Sequence, residues 1–107
     1  MVKRDQPRNP ATIQVLYFGL IRNVVDSAED TITLPPGATV RDLFDSLGKR
    51  HGRSFSDALF TAHGTLLNNA IVLLDGSNIL SAQGLETEIN GRSSAHIMLT
   101  TTAVGGG

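Results

Sequence analysis

The stretch ATVRDLFDSLGKRHG, residues 38–52, limits what this chain can fold into more than any other part of it. Thr39 stands three residues before Asp42, so each can bond the other's backbone N–H at a helix start, a Thr-x-x-Asp form of the capping box. Val40, Leu43, Phe44 and Leu47 follow at helical spacing and form one apolar stripe. Lys49, Arg50 and His51 fall in the last turn, where positive charge meets the negative end of the helix dipole, and Gly52 can end the helix. A helix with a single apolar stripe must lay it on one apolar surface. With 107 residues, 40% of them hydrophobic, the chain can build one modest core and is read as one domain.

The surface for that stripe is expected from β-type runs on either side. TIQVLYFGLI, from residue 12, places Ile13, Val15 and Tyr17 on one face and Leu16 and Phe18 on the other, as in a central strand. After a polar loop with Asp26, Ser27 and Ala28, the segment EDTITLPPG turns Ile32 and Leu34 inward. It stops at Pro35-Pro36-Gly37, where a strand can no longer donate hydrogen bonds, and the two runs read as a hairpin. SFSDALF, residues 54–60, is a candidate short second helix. GTLLNN and AIVLLDGSNIL supply two further β-type runs, with Asp75-Gly76 as a tight-turn pair. AHIMLTTTAV is the last run, with Ile97 and Leu99 on one face and His96, Met98 and Thr100 on the other. Two strands, a helix and two or three more strands make an α+β layer structure. The β-grasp fits that order most directly: a mixed sheet of four to five strands on one main helix, with the C-terminal strand beside the first. Residues 1–11 read as a polar leader with Pro7 and Pro10, residues 12–104 as the β-grasp domain, and residues 105–107 as a glycine tail.

Composition excludes several kinds of chemistry. Nine basic and ten acidic residues leave a net charge of -1, too little field to hold a polyanion, so no nucleic-acid partner is expected. No apolar run approaches a membrane span and no apolar segment follows the basic N-terminus as in a signal peptide, so the chain is expected in the cytoplasm. Without cysteine it forms no disulfide and binds no zinc through thiolates. His51, His63 and His96 share no ligand spacing and read as surface or satisfied histidines, so no metal site and no bound cofactor are expected. Ser54, Ser56, His51 and Asp57 lie along one turn of chain rather than converging from separate elements, and no phosphate loop occurs. The chain reads as something acted upon rather than an enzyme.

The run AVGGG, residues 103–107, gives that reading its direction. VLYFGLIR, LPPGATVRDLFDSLGKRHG, DALFTAHGTLLNNAIVLLDGSNI, GLETEI and AVGGG together resemble the MoaD/ThiS family of ubiquitin-like sulfur carriers over residues 12–107. The resemblance implies that Gly107 is adenylated by a ubiquitin-activating-type adenylyltransferase using ATP. A sulfur donor then converts it to a thiocarboxylate, which serves a sulfur-accepting synthase in molybdopterin, thiamine or cysteine biosynthesis. In a molybdopterin synthase such a chain would be the small non-catalytic subunit. Ala103, Val104, Gly105 and Gly106 become the segment that enters the partner's channel, and glycines lacking a β-carbon suit a narrow passage. A thiocarboxylate also explains how a chain without cysteine can carry sulfur.

Thr100, Thr101 and Thr102 stand where molybdopterin-type tails commonly have a Pro-Pro pair, whereas Ala103-Val104 looks more like carriers of the cysteine-biosynthesis type. The turn INGRSSAH is longer and less acidic than the family's, and Gly105 replaces a small tail residue, so no trimming is expected. Two alternatives keep the fold. One is a protein modifier joined to lysines, of which this chain has only Lys3 and Lys49. The other is a non-covalent binding module that docks through an exposed sheet face including Met98.

Overall fold

The computed structural model describes residues 10–101. Its first strand, β1, Ala11–Gly19, lies in the interior of the sheet and pairs on both edges. On one side it runs antiparallel to β2, Glu29–Leu34, from Ala11 opposite Leu34 to Leu16 opposite Glu29. On the other it runs parallel to β5, Ser94–Leu99, from Gln14 opposite Ser94 to Gly19 opposite Leu99. β3, Ala70–Leu74, lies antiparallel on the far edge of β5, and the two-residue β4, Ser77–Asn78, closes the order β2-β1-β5-β3-β4. The first strand is thus central and the C-terminal strand lies beside it, as the sequence predicts. β1 begins one residue inside the span assigned to the leader.

The main helix, α2, spans Val40–His51 and has the predicted ends. Asp42 Oδ2 accepts the Thr39 backbone N–H at 2.9 Å, Thr39 Oγ1 accepts the Asp42 N–H at 3.4 Å, and Gly52 caps the C-terminus at φ 92. Val40, Leu43, Phe44 and Leu47 are all buried against the sheet. Their partners are Ile13, Val15 and Tyr17 of β1, Ile32 and Leu34 of β2, Val72 and Leu74 of β3, and Ala95, Ile97 and Leu99 of β5. Fully burying one such large apolar side chain contributes about 1.5–3 kcal/mol. The candidate second helix is present as α3, Arg53–Leu59, with Phe55 and Leu59 inside the same core. β2 ends at a turn in which Ala38 N–H donates to the Pro35 carbonyl at 3.2 Å, and Gly37 supplies its positive φ of 84°. Asp75 and Gly76, at φ 48° and 89°, form the two-residue turn between β3 and β4.

Two expectations are corrected. The run TIQVLYFGLI does not stay a strand to its end: β1 stops at Gly19, and a five-residue helix, α1, Ile21–Val25, with Ile21 and Val25 buried, precedes the polar loop at Asp26, Ser27 and Ala28. A helix this short shows too few turns for periodicity to declare it. GTLLNN is not a strand either. Leu66 makes one isolated bridge to Phe60, and the Thr61 hydroxyl accepts backbone N–H groups of His63 and Thr65 at 3.2 and 3.3 Å, which folds the run into a connecting loop. Among the described residues no helix is long and apolar enough to cross a membrane.

Candidate functional site

Strand alternation gives the sheet an inner face under the helices and an outer face with no helix of the described residues over it. Leu16 and Phe18 point outward from β1, His96 and Met98 from β5, and Ile71 and Leu73 from β3. The register aligns them in two rows, Phe18–Met98–Ile71 and Leu16–His96–Leu73. Glu29 and Asn78 bound the second row, opposite Leu16 and Leu73. Toward the start of β1 the same face turns polar: the Gln14 amide donates to Glu29 at 2.9 Å, and the hydroxyls of Thr12 and Thr33 lie 3.1 Å apart. Apolar surface therefore collects at the end of the sheet where the parallel strands β1 and β5 both finish. Phe18 is 37% exposed, with its ring centroid 5.2 Å from that of His96, and Leu20, just past β1, is 41% exposed. Phe18 and Leu20 are thus the exposed large apolar side chains at this end of the sheet, beside the half-buried Met98 and Ile71.

At this end the chain leaves the sheet toward its C-terminus, and the backbone there is closely fixed. Gly19 has φ +74°, and a β-carbon on it would lie 2.4 Å from the Leu99 carbonyl oxygen. Only glycine tolerates both the left-handed backbone and that approach. The next residue, Leu20, donates its N–H to the same oxygen at 2.7 Å. Ala103, Val104, Gly105, Gly106 and Gly107, which the sequence predicts to enter a partner's channel and carry the chemistry, lie outside the described residues.

A second polar constellation sits under the helices, and sequence reasoning did not find it. Asp30 Oδ2 accepts the Tyr17 hydroxyl and the His51 Nε2–H, each at 2.6 Å, while Arg50 donates to Oδ1 at 2.9 Å. Burial pushes the Asp30 carboxyl up, but the hydrogen bonds from Tyr17, His51 and Arg50 outweigh it and hold the group below its ordinary range. Burial, then the hydrogen bond to Asp30 and the carboxylate's charge, push the Tyr17 phenol well above its ordinary value. The Phe55 ring lies 5.9 Å from that of His51 and 6.5 Å from that of Tyr17 and covers the core side of the cluster, while Arg50, half-exposed, closes its outer side. It ties β1, β2 and α2 together, and it makes His51 a satisfied histidine, one of the two readings open to it from sequence. His96 stands on the outer sheet face and His63 on an exposed loop. Among the described residues no group of three or more His, Asp or Glu side chains is placed to hold a metal ion.

A five-stranded mixed sheet of order β2-β1-β5-β3-β4, with a capped helix across one face, defines a ubiquitin-like β-grasp protein. Residues 15–107 match the model of the ThiS family, and the chain belongs to that family. SAMP1 from Haloferax volcanii superposes with a TM-score of 0.70 at 21% identity, covering 90% of this chain and 100% of that one. Putative molybdopterin converting factor subunit 1 from Pyrococcus furiosus gives a TM-score of 0.61 at 22% identity, covering 86% and 98%. A chain of the Amycolatopsis orientalis BexX/CysO complex gives 0.67 at 19% identity, covering 85% and 98%. At these identities the likeness speaks for the fold alone. No curated protein matches the chain in sequence.

Proposed function

We propose that this chain is a cytoplasmic sulfur carrier and not itself a catalyst. A ubiquitin-activating-type enzyme docks on the outer sheet face around Phe18, Met98 and Ile71 and takes the C-terminal segment into its active site. There a Gly107 carboxylate oxygen attacks the α-phosphorus of ATP, pyrophosphate leaves, and the terminus becomes an acyl adenylate. Sulfide from the donor attacks the acyl carbon, AMP departs with the carboxylate oxygen, and a thiocarboxylate remains. Its sulfur is a better nucleophile than the oxygen it replaces, and the carrier delivers it to a synthase of molybdopterin, thiamine or cysteine biosynthesis.

The observation that carries this reading is the coincidence of the open apolar rows with the finish of β5 at one end of the sheet, in a chain whose sequence downstream of β5, inside the ThiS match, runs to Gly105-Gly106-Gly107. A docking surface beside the departure point lets one binding event both hold the body and present the terminus. The test is ATP–pyrophosphate exchange catalysed by an activating enzyme from the same genome. The full chain supports exchange, and the chain lacking Gly106 and Gly107 does not. Equal exchange from both forms would overturn the proposal.

A further inference from the structure

The last regular rung between β3 and β5 joins Ala70 to Leu99. One residue further on, Thr100 N–H donates to the Asn69 carbonyl at 3.0 Å, and a return bond comes from a side chain: Asn69 Nδ2 donates to the Thr100 carbonyl at 2.7 Å. The Thr100 hydroxyl adds a contact to the Asn69 carbonyl at 3.4 Å. From the other flank the Leu20 N–H holds the Leu99 carbonyl at 2.7 Å. The chain is therefore gripped from both neighbouring strands at its last two paired residues. Thr100 is exposed and Asn69 half-buried, and neither belongs to the apolar core.

We infer that Asn69 is a positioning residue for the reactive C-terminal segment: its side-chain amide fixes the point and direction at which the chain leaves the sheet, so that docking of the outer face aims the terminal carboxylate. This rests on the sulfur-carrier reading. The residues between Thr100 and Gly107 can reach about 25 Å when extended. The direction of the backbone at Thr100 sets which part of that reach the terminal carboxylate samples, and a carboxylate that spends less time near the enzyme's active site reacts more slowly. The role needs a donor. A carboxylate at position 69 has the same shape but would set oxygen against the Thr100 carbonyl.

Because the chain has no cysteine, spin labels at Thr31→Cys and Ala103→Cys attach at those two places alone. In the full chain Asn69→Asp and Asn69→Ala broaden the distance distribution between the labels and leave the melting temperature within a few degrees. In the exchange assay, on unlabelled chains, both substitutions lower kcat about 3- to 10-fold, the population factor one hydrogen bond commands, and leave KM unchanged because the docking face is untouched. An unchanged distribution, or unchanged kcat beside an active unsubstituted chain, overturns the inference alone. An unsubstituted chain that supports no exchange overturns the carrier reading and this inference with it. The label distances need no partner and so separate the two failures.

Discussion

Replacing Gly19 by alanine places a methyl group where the structure has a carbonyl oxygen. Gly19 sits at φ +74°, where an L-residue with a β-carbon loses roughly 1–2 kcal/mol from backbone sterics alone. The added carbon would lie 2.4 Å from the Leu99 oxygen, a backbone atom in a ladder, so β1 and β5 must separate locally. Separation endangers the Leu20 N–H bond to the same oxygen, worth about 0.5–1.5 kcal/mol net. Together the strain, the displacement and the lost bond amount to about 2–4 kcal/mol. Gly64 is the internal control: it has a similar φ of +83° but nothing within 4 Å of a β-carbon, so Gly64→Ala carries only the backbone term. Urea unfolding of both variants beside the unsubstituted chain measures the difference. Gly19→Ala should be the less stable by at least about 1 kcal/mol. Equal losses would refute the claim that Gly19 is required by the approach of β5.

Three further outcomes are expected. Asp30 has a folded value below its unfolded one, so its contribution to stability is present above an unfolded pKa of about 3.9 and is lost as pH falls through the lower folded value; Asp30→Asn should flatten the acid limb of a melting-temperature profile. The Tyr17 phenol is raised instead, so its contribution is full below about pH 10 and declines above it, and Tyr17→Phe should weaken that alkaline decline. Phe18→Ala should lower affinity for the activating enzyme by about 2 kcal/mol or more, measured by calorimetry, while the melting temperature of the free chain changes little.

Local signals made part of this molecule readable in advance. The Thr39–Asp42 box, the stripe from Val40 to Leu47, Gly52 and the Asp75-Gly76 turn are each fixed by neighbours a few residues away, and each is where the sequence places it. The Ile97 and Leu99 alternation likewise declared the buried face of β5. What the sequence hid depends on distant partners. Tyr17, Asp30 and His51 meet from β1, β2 and α2, and no spacing announces them. Asn69 looks like one turn residue among several until Thr100 is set beside it. Leu16 and Phe18 gave β1 apolar residues on both faces, which placed it in the interior of the sheet. Alternation alone does not tell whether a second layer covers those side chains, and among the described residues Phe18 stays open. The glycine run marked the place of the chemistry through resemblance and composition, because a segment of glycines has no packing pattern to read.

The central claim is that the terminal glycine carries sulfur, and the mass of the intact chain tests it most directly. Incubated with an activating enzyme from the same genome, ATP and sulfide, the protein should gain the mass of one sulfur less one oxygen, located by fragmentation at Gly107, and the chain lacking Gly106 and Gly107 should gain nothing. Covalent adducts to lysines of other proteins would instead mark a modifier, and an unchanged mass beside an enzyme that binds the chain would leave a docking module. Either result would contradict the carrier account.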